Sequence, residues 1–190
     1  MIDKVLECLQ LRVHEHLSRA LPADGQPKVE LVKYEGESIK LAEGAVSLLL
    51  LNLEEERTLR PADPYSRSSG DGGHVRTPPE LRLIVYILFV ARFSEHYLTA
   101  WRHLSHVLEL FQATRVLDSN SASGLPEGIE KMVFELVTLT LAEQNEVWST
   151  LRAAHHPALL YRVKLLAYRH RGVSVEGPIT EVQTVVRRAQ

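Results

Sequence analysis

The stretch Val46-Ser47-Leu48-Leu49-Leu50-Leu51 decides the fold class. Both alternating sets of residues are apolar, which is the signature of a strand covered on both faces rather than on one. The strand is expected from about Ala45 to Leu53, running into the charged Glu54-Glu55-Glu56-Arg57. A second run, Leu81-Arg82-Leu83-Ile84-Val85-Tyr86-Ile87-Leu88-Phe89-Val90, is rich in β-branched and aromatic residues and reads as another strand. The two are expected to pair as a long hairpin. Between them, Arg60 to Pro79 holds Pro61, Pro64, Gly70, Gly72, Gly73, Pro78 and Pro79. That composition predicts a long exposed loop without a packed element, and loops of such length are often functional.

Outward from this pair, helices and further strands alternate. Ile2, Val5, Leu6, Leu9, Val13 and Leu17 recur at spacings of three and four, so the chain opens with an amphipathic helix that Pro22 and Gly25 end. Lys28 to Tyr34 alternates as a short strand. Tyr97, Trp101, Leu104, Leu108 and Phe111 mark a long helix, with Ser94 placed to cap it and Trp101 assigned to the core. Met132 to Leu139 alternates as a strand, after which Thr140-Leu141-Ala142-Glu143 forms a capping box. The short helix that begins there carries Val147, Trp148 and Leu151 on its apolar face. His155-His156-Pro157 closes it, and Ala158 to Tyr168 follows as a strand with Tyr161, Val163 and Leu165 inward and Arg162 and Lys164 outward. The tail from about Gly172 is expected to add one edge strand within Glu181 to Arg188.

The order predicts an α+β domain: a largely antiparallel, or mixed, sheet of about five to six strands packed by three helices. The 190 residues fit one domain, 1–190, with a sizeable core. The formal net charge of -2 argues against non-specific nucleic-acid binding, which needs a basic excess. The single cysteine, Cys8, permits no internal disulfide and reads as a small packed hydrophobe. The N-terminus shows no signal-peptide pattern, and the apolar run Leu83 to Ala91 is too short to cross a bilayer as a helix. A soluble protein that starts in the cytoplasm is expected.

The search for chemistry gives little. His96, His103 and His106 share one side of the long helix, while His14 and His16 point to different sides of the first. No carboxylate pattern completes a site around them, so solvated or partly buried histidines are expected and no metal or cofactor is assigned. A histidine-centred metalloenzyme remains the enzymatic alternative. Gly70-Asp71-Gly72-Gly73 leads into prolines and a strand rather than opening a helix, which excludes a phosphate-binding loop. Asp63, Asp71 and His74 lie on a stretch too loose in composition to hold catalytic groups.

Three blocks carry a resemblance. The first is Val46 to Arg60, with Asn52-Leu53-Glu54-Glu55-Glu56-Arg57 at its end. The second runs from Pro79-Glu80-Leu81 to Phe93, continuing through Tyr97, Ala100, Leu104-Ser105, Val107 and Phe111-Gln112. The third is Ile129-Glu130-Lys131 to Phe134-Glu135-Leu136, followed by Val147-Trp148 and Tyr161-Arg162-Val163. In this order they resemble the tail-terminator or cap proteins of extracellular contractile injection systems, of the virulence-cassette and antifeeding-prophage kind. The resemblance implies a structural, non-enzymatic subunit of a hexameric ring at the baseplate-distal end of the particle. Such a ring contacts the last layer of inner tube and sheath and stops their growth; no nucleic acid or membrane partner is implied. On this reading Arg60, Tyr65, Arg67, His74 and Arg76 in the loop, and Arg187 and Arg188 in the tail, are the expected contacts. A sheath- or baseplate-associated adaptor of the same particle is the alternative.

Overall fold

The first helix, α1 (Ile2–Ala20), buries Val5, Leu9, Val13 and Leu17, the stripe its spacing predicts. The structure, a computed structural model, describes residues 1–22, 28–36, 38–56, 66–68, 74–76, 81–118, 125–168 and 174–176. After α1 come β1 (Lys28–Leu31), β2 (Lys33–Glu35), β3 (Ser38–Lys40) and β4 (Ala45–Glu55). Then follow β5 (Ser66–Ser68), β6 (His74–Arg76), β7 (Leu81–Arg92), α2 (Tyr97–Ala113) and β8 (Val116–Asp118). The chain continues through β9 (Lys131–Val137), α3 (Leu141–Thr150), β10 (Ala158–Tyr168) and β11 (Ser174–Glu176).

The main sheet has the order β1-β4-β7-β10-β9-β8. Only β1 and β4 pair in parallel; the other four pairings are antiparallel. The expected hairpin of β4 and β7 is present, with Leu48 opposite Phe89 and Leu49 opposite Leu88. On the other side of β7, Phe89 faces Leu159 and Leu88 faces Leu160. These rows explain the two-sided apolar pattern. Leu48, Phe89 and Leu159 join the core under α1 and α2, whereas Leu49, Leu88 and Leu160 join a second cluster with Trp148 of α3. Ile39, Leu41 and Val32, around the β2–β3 hairpin, complete the second cluster.

A local signal sets the start of α3. Thr140 accepts from the Glu143 N–H, and Glu143 accepts from the Thr140 N–H at 2.7 Å, so the capping box forms as its spacing predicts. The start of α2 differs from expectation. Ser94 does not cap it; its N–H and hydroxyl both donate to Glu43, at 2.7 and 2.8 Å. The buried stripe of α2 is Ala100, His103, Leu104, Val107 and Phe111, and Trp101 is exposed, so its core assignment is corrected. Small Ala100 lets the helix approach the sheet, and His103 is admitted because its Nδ1 is 2.8 Å from the Thr99 carbonyl and its ring packs against Phe93. A buried polar side chain is tolerated when its polar atom is bonded. Buried Ser47 follows the same rule, accepting from the Ala42 N–H at 3.1 Å.

The stretch between β4 and β7 also departs from expectation, because β5 and β6 pair within it and β11 pairs with β6. Val75 and Val175 supply β-branched residues at facing positions, and the glycines between the two first strands have the composition of a hairpin connection. In the tail, Ser174–Glu176 is the strand, and the expected strand at 181–188 lies outside the described residues.

Phe89 is almost wholly buried between the Phe111 and Tyr161 rings, whereas Leu98 is 78% exposed. Phe89→Ala is therefore expected to cost about 3–5 kcal/mol in urea unfolding. Leu98→Ala should stay within about 0.5 kcal/mol. Comparable losses at both positions would contradict this packing.

Candidate functional site

Four features have the chemistry of contacts. The first is the small sheet, whose order β11-β6-β5 repeats that of β10-β7-β4, the strands to which each is joined along the chain. The loop and the tail thus meet in one three-stranded arm. Its register sets Arg67 opposite Val75, and His74 opposite both Ser68 and Glu176. Arg76 faces Ser66 and Ser174. Of the contact residues expected from the sequence, Arg67, His74 and Arg76 therefore stand in these strands. Arg60, Tyr65, Arg187 and Arg188 lie outside the described residues.

The second feature is a charged strip on the α3 side of the sheet. Arg162 Nε donates to Glu135 Oε2 at 2.7 Å and Lys164 Nζ to Glu135 Oε1 at 2.8 Å. The Lys164 hydrogen bond, opposed by burial and reinforced by Arg162, holds the Glu135 carboxyl below its usual range. Next to it, Tyr86 donates to Glu54 at 3.4 Å. Apolar cover by α3 gives way to this strip toward the ends of β4 and β10 that lead into the arm.

Exposed aromatics form the third feature. Tyr97 and Trp101 meet edge to face at 6.3 Å, with Leu98 exposed beside them. Trp101 also borders a groove of about 220 Å³ walled by Val147, Trp148, His155 and Leu160. The sequence signal was Trp101 itself, read as core because its spacing matched Leu104 and Phe111. The fourth feature is the outer edge of β8, which pairs only with β9 among the described residues. The opposite edge, at β1, is partly blocked, since Gln10 Nε2 donates to the Val29 carbonyl at 2.8 Å.

One further group was not legible in the sequence. His16 of α1 meets His106 and Glu109 of α2, with one ligand-type atom of each within 4.8 Å of the others. Burial, then the charges of His106 and Arg19, lowers the His16 pKa. The sequence paired His16 only with His14 and His106 only with residues of its own helix.

Residues 4–181 match the family described as the Pvc16 N-terminal domain, which spans nearly all of the chain. The chain belongs to this family. The three blocks of resemblance correspond to β4, to β7 with α2, and to β9 with α3 and β10, so they map onto the centre of the Pvc16 N-terminal fold rather than its rim. Among solved structures, the chain is similar to the PVC sheath/tube terminator in its extended state. That similarity has a TM-score of 0.56 and 19% identity, over 95% of this chain and 64% of that one. The chain therefore spans somewhat less than two thirds of that terminator, and the two share a fold. It is also similar to the tube-terminating cap of the anti-feeding prophage, with a TM-score of 0.49 and 17% identity, over 75% of this chain and 49% of that one. No curated protein sequence matches. Among the described residues, no helix is long and apolar enough to cross a membrane.

The charged strip is testable by pH. A carboxylate with a lowered folded pKa contributes stability above its unfolded value, near 4.3, and loses it as pH falls through the folded value. The side chains are about a third exposed, so Glu135→Gln should lose only about 0.5–1 kcal/mol at pH 7 in urea unfolding. The gap should narrow as pH falls below about 4.3 and close once pH is under the lowered folded value. A gap that persists in acid would contradict the ion-pair account.

Proposed function

We propose that this chain is a structural terminator subunit of a contractile injection particle. Six copies form a closed ring at the baseplate-distal end, bind the last layer of inner tube and sheath, and stop both from growing. The observation that carries this reading is membership of the Pvc16 N-terminal domain family across residues 4–181, joined to a fold shared with a sheath/tube terminator.

The surface features support the role. A ring closes through heterologous contacts, in which two different patches of each subunit meet, and the separated β8 edge and aromatic end offer unlike patches. Main-chain groups on an open edge accept a strand from a neighbour by hydrogen bonding. The arm of β5, β6 and β11 is the proposed tube or sheath contact. Arg67, His74 and Arg76 are assigned to it, with Arg60, Tyr65, Arg187 and Arg188 in the flanking segments. The role is one of binding and not of catalysis. Assembly takes place in the bacterial cytoplasm, and the ring then travels with the finished particle.

Gold-labelled protein mixed with growing tube and sheath subunits is expected to decorate one tip of each tube in electron micrographs. Label along the shaft, or at the baseplate, would replace the terminator reading with an adaptor one. Removing residues 62–77 should leave a folded protein, by circular dichroism, that no longer limits particle length. Normal length with that deletion would remove the arm from the mechanism.

A further inference from the structure

His16 sits near the C-terminal end of α1, and His106 and Glu109 lie one turn apart on α2, where the two helices pack together. The imidazole rings meet edge to face with centroids 6.3 Å apart, and His106 Nδ1 is 2.7 Å from Glu109 Oε2. His16 Nε2 is enclosed and has no hydrogen-bond partner. An enclosed nitrogen without a partner is unfavourable, and such an atom asks for an explanation in a folded protein. The same ring belongs to a group that offers a second imidazole and a carboxylate within 4.8 Å.

We propose that His16, His106 and Glu109 form a binding site for one Zn(II)-class ion that clamps α1 to α2. Two imidazoles and one carboxylate are a donor set suited to a borderline-soft divalent ion, whereas calcium and magnesium take oxygen ligands. Tetrahedral coordination with bonds of about 2.0–2.1 Å sets ligand atoms ~3.4 Å apart. The three groups start within 4.8 Å of one another, so the ion must draw them closer by about an ångström. His16 and His106 are partly buried and Glu109 is exposed. Water fills the fourth position. Glu109 supplies the compensating negative charge, while Arg19, which donates to the Glu15 carbonyl at 3.2 Å, stands near enough to His16 to weaken the site. The clamp is independent of the terminator role. Since the metal binds only the folded helix pair, it adds to the stability of that pair.

The untagged full chain, equilibrated with excess Zn(II) and desalted, is expected to retain close to one zinc per chain by elemental analysis. Its melting temperature should rise with zinc concentration. His16→Gln and His106→Gln should each weaken binding about tenfold or more while leaving the metal-free melting temperature nearly unchanged. The double variant His155→Gln/His156→Gln, which removes the other histidine pair, should still bind one zinc. A second readout does not depend on variants folding. Co(II) added to the wild-type chain should give a visible absorption band that one equivalent of Zn(II) abolishes. Failure to retain zinc, retention unaffected by both His16→Gln and His106→Gln, loss in the His155/His156 variant, or no Co(II) band would each overturn the site.

Discussion

Everything in this fold leans on the burial of β7 from both sides. Its neighbours β4 and β10 pair along most of its length, and its alternate residues enter two separate apolar clusters. Phe89 and Ile87 meet α1 and α2 through one cluster, while Leu88 and Val90 meet α3 and the β2–β3 hairpin through the other. A one-residue slip of β7 would exchange these two faces and mismatch both layers at once. The register is therefore fixed over the three central strands. The same strands lead along the chain to β5, β6 and β11, so the arm inherits its strand order from the core.

Features with a local physical cause were legible in the sequence. The stripe of α1, the two-sided runs of β4 and β7, and the inward set Tyr161, Val163 and Leu165 follow from periodicity alone. The box Thr140–Glu143 fixes the start of α3 from four residues. What escaped was set by distant partners. Ala100 and His103 displace Trp101 from the core because of what lies beneath α2, and no property of the helix by itself ranks a histidine above a tryptophan. The strands β5 and β6 are only three residues each, framed by glycine and proline, and depend on β11 from the far end of the chain. His16 and His106 meet only because α1 and α2 pack, a contact that spacing within either helix does not reveal.

The functional residues divide in the same way. The family blocks were readable because they coincide with the strands and helices of the core, where the constraint on residue type is strongest. Of the proposed contacts, Arg67, His74 and Arg76 stand in short paired strands that the loop-like composition of the stretch did not reveal. Pairing fixes part of the backbone before contact, so less conformational entropy is lost when a partner binds.

The terminator role is tested most directly by the length distribution of particles assembled with and without this chain, measured in negative-stain micrographs. The account predicts that particles lacking it are overlong or polydisperse, and that supplying the chain restores one narrow length. Uniform particles of normal length in its absence would contradict it.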